Sequence, residues 1–157
     1  MKRLLQIALA TLFVIGLTAL KSQAQEATKV QSLQALSYPW TPSQLLEPAD
    51  LAAQIKAGNT KALILNIGAV EDIKGATHIG PVSKAENMAL LQKTVSGYAK
   101  NTTVVIYCGC CPFTKCPNIR PAFTELTKMG FTHIKVLNLP VNLHTNWTSL
   151  GFPLAAN

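Results

Sequence analysis

The chain has 157 residues, 48% of them hydrophobic, and 14 Lys and Arg against 7 Asp and Glu give a formal charge of +7. Residues 1–24 read as a removable segment (below), and without Lys2, Arg3 and Lys21 the balance falls to +4. This length suits one domain with its own core; a modest positive balance with no Lys/Arg cluster excludes nucleic acid as a partner and mildly favours small anions.

In chain order, the sequence opens with Lys2 and Arg3, an apolar run from Leu4 to Leu20, and small residues at Ser22 and Ala24. These are the three parts of a secretory signal, with cleavage expected after Ala24. The competing reading, an uncleaved membrane anchor, calls for about 20 apolar residues. A periplasmic or secreted protein is expected, with no stable membrane insertion after cleavage. Residues 25–43, with Ser, Gln, Thr, Pro39 and Pro42, read as a loosely ordered lead-in with room for a short strand near 30–36. The remaining residues, 44–157, form the domain proper.

Pro48 opens a helix and Gly58 ends it, with Leu51, Ala52 and Ile55 as its apolar stripe. Residues 62–67 are nearly all apolar, the mark of a strand covered on both faces. Gly75 and Gly80-Pro81 punctuate a loop, and Ser83-Lys-Ala-Glu86 fits a capping box for a helix carrying Met88, Leu90, Leu91 and Val95. Residues 102–107, Thr-Thr-Val-Val-Ile-Tyr, form the strongest strand signal and run straight into Cys108. A helix then spans Ile119 to Met129, with Asn118 as its N-cap, Pro121 in its first turn and Gly130 as its stop. Residues 133–139 give a last strand, and Trp147 to Pro153 closes the domain. This alternation predicts an α/β fold, an open and mostly parallel sheet with helices on both faces. In such sheets ligands meet the carboxyl ends of strands, which is where Cys108 falls.

All four cysteines lie in the nine-residue stretch Cys108-Gly-Cys110-Cys111-Pro-Phe-Thr-Lys-Cys116. Bridges that staple a whole fold are spread along the chain, so this cluster points to a reactive thiol, a local disulfide or a metal. A loop that leads from a strand end into a helix start offers backbone N–H groups and the positive end of the helix dipole, which favour a thiolate and hold an anion. The nucleophile is expected among Cys108, at the strand end, and Cys111 and Cys116, closer to the helix. Cys111, at C-x-x-C spacing, and Cys116 are candidate resolving or disulfide partners. The four thiols would suit a soft cation, but their spacing lacks the two separated pairs of structural zinc sites, so no metal is expected. No cofactor is expected either, for there is no phosphate-binding glycine loop and no dinucleotide fingerprint.

Val-Val-Ile-Tyr-Cys108, followed by a loop, an arginine, a helix and Gly130-Phe131, resembles the active-site segment of rhodanese-type sulfurtransferases. Residues 73–80, Ile-Lys-Gly-Ala-Thr-His-Ile-Gly, are similar to the family's mid-domain Gly-His-Ile-Pro-Gly-Ala segment. His133 to Leu137 with the later Trp147, Gly151, Phe152 and Pro153 are similar to its closing strand and Trp…Gly-Tyr-Pro ending. The likeness spans about residues 44–154. It implies a rhodanese-like fold and a Cys108 that carries a persulfide. It further implies that Gly109, Cys110 and Cys111 cradle the anion through their backbone, with Arg120 at the loop's end. The partners it implies are a small sulfur-containing anion and a thiol acceptor. The chain departs from the family pattern in three ways. Eleven residues separate Cys108 from Arg120, Asn66-Ile-Gly68 stands where Asp-x-Arg is common, and Cys110, Cys111 and Cys116 are additional sulfurs.

Among the other polar residues, His78 is expected to orient a backbone turn, and Glu71 and Asp72 to be solvated. His144 is expected to be a solvated loop residue, in a stretch that the rhodanese resemblance brings near the site, and Trp147 and Phe152 are expected to pack in the core or against loops.

Overall fold

The structure is a computed structural model that describes residues 38–156. The expected signal segment, most of the lead-in and the strand near 30–36 lie outside the described residues. A 3₁₀ turn at Pro42–Gln44 leads into β1 (Leu45–Leu46) and α1 (Pro48–Lys56), then β2 (Leu63–Asn66) and β3 (Ala76–His78). These are followed by α2 (Ala85–Val95), β4 (Val104–Tyr107), α3 (Ile119–Lys128), β5 (Ile134–Leu137) and α4 (Leu143–Asn146), with a closing 3₁₀ turn at Thr148–Leu150.

The five strands form one parallel sheet in the order β1-β5-β4-β2-β3, as the strand–helix alternation predicts. β4 sits in the middle. It pairs with β2 from Leu63↔Val104 to Asn66↔Tyr107 and with β5 from Val104↔Ile134 to Ile106↔Val136. Its four residues are all fully buried, which accounts for the unbroken apolar run in the sequence. Side chains alternate across a strand, so Val104 and Ile106 join one core with Ile119, Ala122, Phe123 and Leu126 of α3 and Leu91 and Val95 of α2. Val105 and Tyr107 join the opposite core with Leu51 and Ala52 of α1 and Leu143 and Trp147. Helices therefore cover both faces of the sheet.

Of the expected lead-in, residues 38–43 are described, and Trp40 is buried edge-on to Phe123 at 5.7 Å between ring centroids. At the other end Trp147 is fully buried, donates its indole N–H to the Pro153 carbonyl at 3.1 Å and meets Phe152 edge-on at 5.3 Å, the packing role expected of both aromatics. An antiparallel bridge between Ile73 and Leu154 ties this closing segment to the loop between β2 and β3.

Several local expectations give way to tertiary contacts. Lys84, not Ser83, is the N-cap of α2, and no side chain caps it, so the Ser83–Glu86 box does not form. Leu90 is 42% exposed rather than part of the buried stripe. Asn118 holds the N-cap position of α3, but its side chain makes no capping bond. Asp72 is not simply solvated: it accepts from Asn66 Nδ2 at 2.8 Å and pairs with His78 Nδ1 at 2.9 Å. His78 lies at the end of strand β3, exposed, with its ring nitrogen on the Asp72 carboxylate and not on a backbone turn. No helix among the described residues is long and apolar enough to cross a membrane.

The Tyr107 hydroxyl sets the loop after β2. It accepts from Ile73 N at 2.9 Å and donates to the Glu71 carbonyl at 3.2 Å, and burial above all raises its pKa and keeps that proton in place. Tyr107→Phe would leave the buried Ile73 N–H without its acceptor. Chemical denaturation should show a loss of about 1–3 kcal/mol. An unchanged midpoint would mean the loop is set by other bonds.

Candidate functional site

Cys108 extends the alternation of β4 by one step. Val104 and Ile106 face α3, so the side chain of residue 108 points to the same side and meets the start of that helix. It is 1% exposed. Gly109 then turns the chain with φ of 73°, a conformation that suits glycine. A Cβ at this position would also come within 2.7 Å of Leu143 and 3.1 Å of Val70. This turn brings the exposed Cys110 back over the buried Cys108.

The four sulfurs lie close together. Cys108 Sγ is 3.3 Å from Cys110 Sγ, which is itself 3.3 Å from Cys111 Sγ. The loop also curls back so that Cys116, buried beneath α3, joins them, and the sulfurs of Cys108, Cys110 and Cys116 all lie within 4.8 Å of one another. The thiols against Cys108 are thus Cys110 and the expected partner Cys116, not the C-x-x-C partner Cys111. All four cysteines are free thiols.

Asn118 fixes the geometry around Cys108. Its carboxamide is buried, accepts from Ser83 N at 2.9 Å and donates through Nδ2 to Cys108 Sγ at 3.3 Å. One side chain therefore joins the lead-in to α2, the start of α3 and the sulfur at the end of β4. The sequence signal marks Asn118 only as a cap. The backbone N–H groups of Asn118 and Ile119, the tip of α3, are directed at Cys116 instead of Cys108. Cys108 gains its anion-stabilising bonds from the Cys116 thiol, from Asn118, and from the side chain and backbone N–H of Cys110. Against the opposing effect of burial, these bonds lower its pKa to about 5. The proton this group of thiols retains sits on the neighbours. Burial and the Cys108 charge push Cys110 up to about 12, and donation to Cys108 followed by burial raises Cys116 further.

Asn66-Ile-Gly68 forms the floor. A side chain at Gly68 would collide with the Cys108 carbonyl oxygen and come within 2.8 Å of its sulfur, so the site has no room for an arginine there. Asn66 is fully buried; its Oδ1 accepts from Gly68 N at 3.1 Å, and its Nδ2 donates to the Val70 carbonyl and Asp72 Oδ1, both at 2.8 Å. This carboxamide holds the loop that frames a cleft beside Cys108. The cleft has a volume of about 410 Å³ and is lined by Ala69, Val70, Glu71, Gly109, Cys110, Asn142, Leu143 and His144. Leu143 N donates to the Gly109 carbonyl at 2.8 Å, which anchors α4 beside it. His144 is thus exposed, as expected, but sits on a helical turn, not in a loop, and lines the cleft. Arg120 lies on the exposed side of the first turn of α3, its guanidinium carbon 5.9 Å from the Tyr38 ring centroid.

The chain is similar to the rhodanese-like domain of an Anabaena sp. protein solved by NMR, with a TM-score of 0.52 and 20% identity over 73% of this chain and 80% of that one. It is also similar to a crystal structure from Lactobacillus plantarum (TM-score 0.55, 18% identity, 83% of this chain and 98% of that one). A crystal structure from Bacillus halodurans matches it with a TM-score of 0.55 and 19% identity, over 85% of this chain and 86% of that one. No protein-family model matches the chain, and no curated protein matches it in sequence. The likeness is one of fold: the chain has a rhodanese-like fold.

The sulfur cluster makes a sharp expectation for titration. A group whose pKa is lowered to about 5 is a thiolate at every pH well above that value, whereas an ordinary thiol ionises near 8.5. Ultraviolet thiolate absorbance should therefore rise by one equivalent through about pH 5 and stay level to neutrality, and Cys108→Ser should remove that step. Asn118→Asp replaces a donor with a negative charge and should move the step up by about 1–3 units. A first step near the ordinary thiol value in the parent would refute the assignment.

Proposed function

On the premise of this rhodanese-like fold, we propose that the chain is an exported sulfurtransferase that carries a sulfane sulfur on Cys108. The observation that carries this reading is the Cys108 sulfur at the carboxyl end of the central strand, 3.3 Å from both Asn118 Nδ2 and Cys110 Sγ, with a cleft against the neighbouring Gly109 and Cys110. Export rests on the signal pattern of residues 1–24, with a periplasmic or secreted protein as its product.

The donor is a small sulfur-containing anion such as thiosulfate. The Cys108 thiolate attacks its outer sulfur, the S–S bond of the donor breaks, and sulfite leaves with the bonding pair. The persulfide on Cys108 keeps one negative charge. An acceptor thiolate, or cyanide, then takes the outer sulfur and returns Cys108 to its thiolate. The N–H groups of Gly109, Cys110 and Cys111 hold the anion, and the N–H of Cys110 already donates to Cys108 Sγ; Arg120, expected to join them, does not line the cleft and lies against Tyr38. Because Glu71 lines the cleft while no lysine or arginine does, the backbone carries much of that task.

The 3.3 Å contact between Cys108 and Cys110 favours a second outcome for the same persulfide. Attack by the Cys110 sulfur on the inner sulfur expels hydrosulfide and leaves a Cys108–Cys110 disulfide, which an external thiol must reduce. The module then acts as a redox thiol centre and not as a turnover enzyme.

Both readings are tested by incubating the protein with thiosulfate, with and without an acceptor, and recording intact mass and sulfite release. Sulfur transfer predicts a gain of about 32 Da, lost on addition of acceptor with repeated sulfite release. Redox resolution predicts a loss of about 2 Da and release of a single equivalent of sulfite. Cys108→Ser should abolish both. Equal sulfite release by parent and Cys108→Ser would end the assignment of Cys108.

A further inference from the structure

We propose that Cys108, Cys110 and Cys116 form a three-sulfur site for a soft monovalent cation, copper(I). Counted along the chain, C-x-C-C-x4-C has no pair of separated ligand pairs, the pattern that structural zinc sites use. The fold removes that objection. The loop brings Cys116 back beneath Cys108, and the sulfurs of Cys108, Cys110 and Cys116 fall within 4.8 Å of one another. The three residues come from a strand end, a tight turn and the residue two before the N-cap of α3, so three separate stretches of backbone position them.

The donor set selects the metal. Every member is a thiol, and thiolate sulfur prefers soft ions over the hard cations that carboxylates and carbonyls bind. Three ligands, not four, suit a trigonal ion better than the tetrahedral zinc of structural sites. Two of the three cysteines, 108 and 116, are buried in the apolar core that also holds Ile67, Ile106, Ile119 and Phe123. The outer shell is in place as well. Asn118 Nδ2 donates to Cys108 Sγ at 3.3 Å, and the N–H groups of Asn118 and Ile119 are directed at Cys116, which offsets the negative charge of a cluster of thiolates. Cys111 lies outside the trio but 3.3 Å from the exposed Cys110, which gives it a place as the sulfur that passes an incoming ion inward.

Binding changes no oxidation state. Copper(I) forms three Cu–S bonds, and each ligand thiol still protonated releases its proton to solvent. The site does not depend on sulfur transfer, but it uses the same Cys108, so an occupied site has no free nucleophile.

The test is an anaerobic titration of the reduced protein with copper(I) presented as its bathocuproine disulfonate complex, with X-ray absorption of the loaded product. The expected result is capture of about one copper per chain, with three sulfur neighbours. Cys108→Ser, Cys110→Ser and Cys116→Ser should each weaken capture by about tenfold or more, and Cys111→Ser by less than about twofold. Cys116 is buried, and its variant is at risk of misfolding, so the sulfur count on the parent protein decides independently of the variants. No capture, two sulfur neighbours, preferential uptake of zinc over copper(I), or an equal loss in Cys111→Ser would each overturn the proposal. A parent that captures copper(I) but transfers no sulfur when assayed metal-free upholds this site and sinks the sulfurtransferase reading; one that transfers sulfur without capturing copper does the reverse.

Discussion

A strand must send successive side chains to opposite faces, and β4 passes that constraint on to the first residue beyond it. Because Val104 and Ile106 pack under α3, Cys108 is delivered to the start of the same helix without any special device. Everything chemical in the molecule follows from this delivery. The sulfur arrives among Asn118, Cys110 and Cys116, and the opposite face is left to Tyr107, which secures the loop framing the cleft. Shifting the register of β4 by one residue would exchange the two: a tyrosine would sit under α3 and the thiol would face α1 and α4.

Burial and ionisation pull against each other at such a place. Removing a thiolate from water is costly, and a thiol in apolar packing keeps its proton. Here the opposition is resolved by neutral donors placed within the same small volume, with sulfur and carboxamide groups in the leading part. The arrangement also divides labour between two neighbouring sulfurs. The tip of α3 supports Cys116, while the side chain of the residue at that tip supports Cys108.

The parts of this that can be read in the sequence are those with local causes. β2, β4, β5, α1 and α3 each announce themselves through an apolar run or a stripe with clear end signals, and their order is enough to give the parallel sheet. β1 has two residues, β3 three and α4 four, too few for any periodicity, and their existence depends on neighbours that supply the bonding. The prominence of Cys108 is legible for the same local reason, since it follows the strongest strand. What surrounds it is not. Asn118 reads as a cap because that is what an asparagine before a helix ordinarily does, and only the approach of Ser83, 35 residues earlier, gives its carboxamide other employment. Asp72 likewise finds His78 and Asn66 through a strand pairing with no mark in the sequence. Spacing among the cysteines misleads in the same way, because a loop that doubles back makes distant sulfurs adjacent. The missing Asp-x-Arg is legible as a departure, and its cause, the contact between Gly68 and Cys108, is not.

The stitch between the closing segment and the β2–β3 loop has a consequence for how this molecule tolerates change. Lys74 N donates to the Pro153 carbonyl at 3.1 Å and Ala155 N to the Asp72 carbonyl at 2.8 Å, on either side of the Ile73–Leu154 bridge. Residues 153–155 therefore serve as a splint for the stretch that carries Glu71 and Asp72. Substitutions accumulated at residues 153–155 would bear on the rim of the cleft from a stretch remote from it in sequence. The segment that looks most expendable is mechanically part of the doorway.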